Sequence, residues 1–381
     1  ATIEEIKAKD YNLNPGLYRK TIKGKQKWEV VSLKEICDIQ KGTSITRADT
    51  VEGNIPVIAG GQEPAYYHNQ SNRDGNIITV SASGAYAGFV SYFDVPIFAS
   101  DCTTIKSSDE EKALTKYIFY VLKSRQEDLY KLQRGAGQPH VYPNDLANIQ
   151  IPLPPLPVQQ ELVTRLDKQQ AIIEQCNAME KAILEAGIDN SIFEGDWEWV
   201  ELGKVASIAN DKVQPRNLDL ESIFYIGLEH IESKTSLIAE TLIKPSDLSS
   251  EKFLFDDNSI LYGKLRPYLE KVYLPNKSGI CSTDILVLKP NDKVLREYLF
   301  YVLKSGFFVE WVINNTKGAQ LPRVNPSDLL LAKIPLPSLE KQQEIVDFLN
   351  VQFEMLANIR KLKENAKNTI KMILDREVFG E

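Results

Sequence analysis

The sequence predicts an α+β protein: two similar domains, β-rich with small helices, joined by two long helices that pair as an antiparallel coiled coil about a pseudo-twofold. A long internal repeat, two matching heptad seams and a series of short turn-broken runs carry that expectation.

The repeat sets the domain order. IPLPPLPVQQELV begins at Ile151 and IPLPSLEKQQEIV at Ile334. In the same register upstream, RGAGQPHVYPNDLANIQIPLP (134–154) matches KGAQLPRVNPSDLLLAKIPLP (317–337) without a gap, pairing Gly135 with Gly318, Pro139 with Pro322, Val141 with Val324 and Asp145 with Asp328. YIFYVLKS (117–124) returns as YLFYVLKS (298–305), and Asp101 falls on Asp284. Each half opens on a tryptophan followed by a strand-like run, WEVVSLKEIC from Trp28 and WVELGKVASI from Trp199. The repeat unit is therefore a whole domain plus a helix. With 381 residues and 43% hydrophobic content the chain is long enough for two cores. The expected division is an N-terminal segment 1–27, a first domain 28–154, a central helix 155–190, a second domain 191–337 and a C-terminal helix 338–381.

Between the anchors the halves diverge. Residues 55–100 and 224–275 both read as short strands, but with different turn chemistry. The shared parts are expected to be scaffold and the diverged parts a variable surface.

Proline fixes φ and lacks a donor, so IPLPPLP is expected to be an extended arm that releases the chain into a helix near Val158. There Leu162, Leu166, Gln169, Ile173, Cys176, Glu180 and Ile183 alternate by four and three, a heptad seam with two polar interruptions, ended by Gly187. The second copy repeats it with Ile345, Leu349, Gln352, Leu356, Ile359, Lys363 and Ala366, continuing to Ile370 and Ile373. Narrow seams with charged flanks favour mutual pairing over packing on the parent domain. A helix of roughly 30 residues spans on the order of 45 Å. Two similar domains on such a ruler have the geometry of a bipartite DNA reader with unlike half-sites.

Composition sets limits. No apolar run is long enough for a signal or a span, so the expected location is cytoplasmic, with no membrane partner. Cys37, Cys102, Cys176 and Cys281 show no CxxC spacing and read as reduced core residues; His68, His140 and His230 are too dispersed for a metal site. The net charge of −7 and pI near 5.4 count against nucleic-acid binding and mildly favour a scaffold, but the objection is global and binding depends on the local field near the phosphates. Neither a paired-proline methyltransferase motif nor a GxxxxGK[ST] loop occurs, and no Ser, His and Asp set assembles, so catalysis by this chain is not expected.

The two proline and glutamine phrases resemble the entry to the helices of type I restriction-modification specificity subunits. ILYGKLRPYLEKV (260–272), EPAYYHNQSN (63–72), the element order and the duplication extend the resemblance over nearly everything from Trp28 onward. The resemblance implies a non-catalytic subunit whose target-recognition domains each read half of a split double-stranded DNA site, with the helices setting the spacer. It implies two partner adenine-N6 methyltransferase chains that use S-adenosylmethionine, no cofactor on this chain, and leaves a translocating restriction subunit open as a further partner. Residues 3–20, IEEIKAKDYNLNPGLYRK, resemble the closing segment of an adenine-N6 DNA methyltransferase. The DNA-recognition part of a fused restriction-methylation enzyme therefore stays open, beside a plain basic lead-in and a coiled-coil scaffold that does not bind DNA.

Candidate DNA contacts follow from donor chemistry. YGKLRPYLEK interleaves Lys264, Arg266 and Lys271 with Tyr262 and Tyr268; KGTSITR offers Lys41, Thr43, Ser44 and Arg47; SASGAYAG offers Ser81, Ser83 and Tyr86 beside glycines. Gln138 and His140 have counterparts in Gln320 and Arg323, and Lys212 and Arg216 are further basic candidates, all the specificity being expected within residues 41–100 and 210–275 or the duplicated loop beside them.

Overall fold

The computed structural model describes residues 27–135, 137–236, 238, 242–316 and 321–380. The segment 1–26, which holds the methyltransferase-like stretch, and Gln320 lie outside them. Two compact units result: one takes the described residues up to Gln175 together with those from Leu362 onward, the other takes Cys176–Lys361.

In the first unit, β1 (Glu29–Ser32) leads through the short α1 (Leu33–Ile36) into β2 (Cys37–Lys41). Then follow β3 (Ile55–Ile58), β4 (Tyr66–His68), β5 (Ile77–Ser81), β6 (Val90–Phe93), β7 (Phe98–Ala99) and β8 (Cys102–Ser107). They form a four-stranded sheet ordered β2-β8-β5-β6 and a three-stranded one ordered β4-β3-β7, in which β3 and β7 run parallel. Helices α2 (Thr115–Ser124), α3 (Gln126–Tyr130) and α4 (Pro143–Ala147) precede β9 (Gln150–Leu153) and the long α5 (Leu156–Ala186).

The second unit repeats this plan. It runs β10 (Glu198–Glu201), β11 (Ala206–Ala209), β12 (Lys212–Val213), β13 (Ile223–Ile226), β14 (Leu242–Ile243), β15 (Lys252–Phe255), β16 (Ile260–Gly263), β17 (Val272–Tyr273), β18 (Gly279–Cys281) and β19 (Ile285–Pro290). Its four-stranded sheet is β11-β19-β16-β17, and its smaller sheet keeps the parallel pair, β13 with β18, while adding β15 and β12 on one side. Helices α6 (Arg296–Lys304), α7 (Gly306–Asn314) and α8 (Pro326–Leu329) lead to β20 (Lys333–Leu336) and α9 (Leu339–Leu374).

The proline arm is a strand rather than a free connector. β9 pairs antiparallel with β1, Val30 opposite Pro152, and β20 pairs with β10, Trp199 opposite Pro335. A two-stranded ribbon tolerates proline because its outer side needs no donor. This register also corrects the tryptophan match: Trp28 corresponds to Trp197, not Trp199, each standing one residue before its strand's first glutamate.

Buried side chains lock arm to helix identically in both units. Tyr117 Oη donates to Pro152 O at 2.6 Å, and Tyr298 Oη to Pro335 O at 2.9 Å. Gln159 Nε2 donates to Pro154 O and Lys112 O while its Oε1 accepts from Leu114 N; Gln342 repeats this with Pro337 O, Lys293 O and Leu295 N. Both glutamines are fully buried. A three-bonded amide at the corner stops the helix entering at any other angle, because each lost bond would leave a buried polar group unpaired. Tyr120 and Tyr301 then donate to the helices, at Asp167 and Asn350, both at 2.6 Å.

The helix seams are the buried faces expected, but they serve both proposed ends. In the first unit Leu162 and Leu166 join the domain core with Tyr117 and Tyr120, and Ile370, Ile373, Leu374 and Val378 pack into the same cluster. In the second unit Ile345 and Leu349 join the core around Tyr298 and Phe308. There Glu180 meets Arg360, and Ile183 and Leu184 share a cavity lining with Gln352, Phe353 and Leu356, so the residue numbers rise along one helix as they fall along the other. Cys176, Leu356 and Ile359 are buried, Ile173 and Ile183 half-buried. Helix α5 begins two residues earlier than Val158, with Pro157 in its first turn where a missing N–H costs nothing. Gly187 ends it at φ +62°.

All four cysteines are free and buried, and burial pushes the thiols of Cys37, Cys102 and Cys281 up to about 12. Among the described residues no helix is long and apolar enough to cross a membrane, and no cluster of His, Cys, Asp and Glu could hold a metal ion.

Candidate nucleic-acid interface

Two loops that look unrelated in sequence are the same loop. One joins β5 to β6 and contains SASGAYAG; the other joins β16 to β17 and contains KLRPYLE. At the root, Ala82 N donates to Asp101 O at 3.1 Å and Lys264 N to Asp284 O at 3.0 Å. Ala82 O and Lys264 O accept from Val141 N and Val324 N, each at 3.0 Å. Gly84 N and Arg266 N donate to Pro139 O and Pro322 O. Ser83 bridges His140 where Leu265 bridges Arg323.

The backbone matches too. Gly84 lies at φ +83° and Arg266 at +50°, and four residues later Gly88 lies at +93° and Glu270 at +51°. Between them Tyr86 and Tyr268 are each 45% exposed. The geometry thus presents one tyrosine per unit at the same point of the same left-handed loop, docked on the duplicated segment that precedes the arm. Tyrosine at an exposed tip offers a flat apolar face and a hydroxyl donor, suited to a base edge, sugar or phosphate.

The first unit gathers several candidates around the Ser100–Asp101 corner. Gly42 N bonds Cys102 O, Thr43 N bonds Ala99 O, and Ile45 N bonds Ser100 Oγ, so the exposed Lys41, Thr43, Ser44 and Arg47 sit on the corner that also anchors Ala82. Gly60 packs so close that a Cβ would lie 2.7 Å from Ser83 O. His140 stacks beside Tyr142 with ring centroids 6.2 Å apart, and Gln138 is exposed in the same segment. Arg134, whose backbone pairs with His140, holds Asp145 at 2.5 Å. Neither Arg134 nor the exposed Tyr142 was expected from donor spacing; only their place in the duplicated segment marks them.

Several expected contacts are corrected. Ser81 is buried beneath the loop and bonds Ser83 O, and Ser83, 9% exposed, has its hydroxyl on Asp101; their side chains shape the loop instead of facing outward. Tyr262 is 3% exposed, its ring edge-on to Phe308, because its strand turns that side chain into the core while Tyr268 lies beyond the strand's end. Burial pushes its phenol well above the usual range. Lys271 donates to Leu228 O at 2.6 Å and is half-buried.

The remaining candidates split. Arg266 is exposed at the loop tip, and Lys264 is half-buried at its root. Arg323 is exposed but ion-paired with Asp284 at 3.1 Å, in the place where Asp101 takes the Ser83 hydroxyl. Lys212 pairs with Glu251 at 3.2 Å, and Arg216 is exposed on a short 3₁₀ turn; both belong to the added edge of the smaller sheet rather than to the tyrosine loop.

Duplicated β-rich units, each closed by a proline arm and a long helix, define a tandem-repeat protein with matched loops. The profile of the type I restriction modification DNA specificity domain matches the chain twice, over residues 25–185 and 194–368, and the chain belongs to that family. It is similar to the type I restriction enzyme EcoDI specificity subunit of Escherichia coli, 22% identical across 93% of this chain and 88% of that one. It is also similar to the MjaVIII specificity subunit of Methanocaldococcus jannaschii, 24% identical across 93% and 92%. The crystal structure of a type I restriction-modification S subunit from M. genitalium shares the fold, with a TM-score of 0.58 at 17% identity over 93% of this chain and 96% of that chain.

Proposed function

We propose that this chain is the DNA-specificity subunit of a type I restriction-modification system, each unit reading one half of a bipartite, asymmetric site. Membership of the specificity-domain family supports the DNA-recognition role, and the observation that carries the two-half reading is the matched pair of tyrosine loops. The backbone cradle is common to both loops while the side chains on it differ, which is what two unlike half-sites call for.

The finer assignments follow from the same frame. The long helices set the spacing between half-sites and offer the docking face for two methyltransferase subunits. Those subunits bring S-adenosylmethionine and transfer its methyl group to adenine N6, and a restriction subunit joins the assembly in turn. This chain supplies orientation and sequence selection, with no cofactor of its own.

The test pairs DNA binding with modification mapping. The full chain with its methyltransferase partner should bind a split duplex sequence with log affinity falling linearly in log salt. Modified bases should fall in two short, different motifs separated by a spacer of fixed length. Uniform binding and methylation of every duplex would sink the reading.

A further inference from the structure

Arg266 occupies a conformation that the corresponding loop gives to glycine. The left-handed region suits glycine and crowds the Cβ of any other residue, yet Arg266 is held at φ +50°, ψ +62° where Gly84 sits at +83°. Strain of this kind persists where surrounding structure fixes it, and it clusters where a side chain is used. The other left-handed non-glycine of the loop, Glu270, is half-buried and lines a cavity together with Lys304. Arg266 is exposed. Among the described residues no hydrogen bond or ion pair engages its guanidinium, whereas Arg323 is on Asp284 and Lys271 on Leu228 O.

We propose that Arg266 is a specificity-determining residue whose guanidinium reads a guanine in the half-site of the second unit, a contact that Gly84 cannot make in the first. The assignment rests on the tyrosine loops being DNA-reading elements. The planar fork of donors matches O6 and N7 of guanine in the major groove, two acceptors that no other base presents side by side. Tyr268, two residues on and equally exposed, would hold the loop against the sugar-phosphate backbone while Arg266 reads. Gly84 leaves the equivalent place in the first unit without a side chain, so the two half-sites differ there by construction.

The conformation makes the test clean, because R266G replaces arginine with the residue the backbone prefers. The variant is expected to melt at the same temperature as the wild type or higher. In selection of randomised split duplexes by the full chain with its methyltransferase partner, it should lose about 10- to 100-fold of its discrimination at one base pair of one half-site. Preferences in the other half-site should not move. R266K keeps the charge without the fork and should relax the same position. A uniform loss across all sequences that lysine restores would show a phosphate contact and overturn the assignment, as would an unchanged preference in R266G. A wild type without any sequence preference would sink the specificity reading itself, which separates that failure from this one.

Discussion

Gln159 Nε2 donates to Pro154 O at 2.8 Å across five residues, closing the corner where the first proline arm becomes a helix. Gln342 and Pro337 repeat the relationship at 2.9 Å. Replacing either glutamine with leucine removes all three hydrogen bonds of a fully buried side chain. Q159L and Q342L are each expected to cost about 2–4 kcal/mol. Urea denaturation of the single variants measures this, and two costs that differ widely would contradict the equivalence of the corners.

Arg360 ties three segments of the second unit together. Its Nε donates to Glu180 Oε1 at 2.7 Å and its Nη1 and Nη2 to Glu232 at 2.6 and 3.0 Å. Glu180 is one of the two polar interruptions of the first seam, and this pairing offsets the burial of its charge there. R360M removes the guanidinium that faces the nearly buried Glu180 carboxylate and should destabilise by about 1–3 kcal/mol, whereas E180M together with R360M should recover part of that loss. A thermal melt series on the two variants decides it.

Lys123 and Lys304 are the repeated lysines of the YVLKS helices, and each ammonium is desolvated. Lys123 donates to Val90 O at 2.7 Å over the Phe89 ring, and Lys304 to Lys234 O at 2.7 Å over Phe300 and Phe353. Burial holds both down to about 8, against 10.5 for a free lysine. Below pH 8 both states are protonated and the burial penalty is constant. Between about 8 and 10.5 the unfolded chain binds more protons than the folded one, so this contribution to stability rises with pH. The buried thiols work in the opposite sense, because their folded values are raised from 9. The informative quantity is therefore the double difference: stability at pH 9 minus pH 7, wild type against K123M/K304M. The wild type should gain more, or lose less, than the variant over that interval.

Tyr86 and Tyr268 are expected to act alike on DNA. Y86A and Y268A should each weaken binding of the cognate duplex roughly five- to tenfold, about 1 kcal/mol or slightly more, with little change in melting temperature because both rings are exposed. Equilibrium titrations at fixed salt measure it. An effect confined to one tyrosine would deny the shared role.

Much of the scaffold was legible because scaffold is where the two halves agree letter by letter. The seam residues, the arm and the helix ends follow from periodicity, proline and glycine, and the structure buries or half-buries every seam position named above. The tryptophan match slipped by two residues, a slip that a strand's period of two hides, since Trp197 and Trp199 fall on the same face. The loops were harder. GAY and RPY share a single residue, and the constraint they satisfy is a backbone angle, which glycine meets freely and arginine only under strain. Donor counting picked out both loops but could not tell Tyr262, turned inward by its strand, from Tyr268 just past its end. Nor did it see that Gln159 and Gln342, polar residues at the start of amphipathic helices, are completely enclosed.

The first unit also has a schedule. Its core takes in Ile373, Leu374 and Val378, and Trp28 Nε1 donates to Glu377 O at 2.6 Å, so residues at the two ends of the described chain finish one another. On a ribosome that domain is begun first and completed after everything in the second unit has emerged. Until then the part of that core completed by Ile373, Leu374 and Val378 stays open, a natural binding target for a chaperone. The second unit draws its helical partners from Cys176–Lys361 and can close earlier, so the order of synthesis and the order of completion run opposite ways.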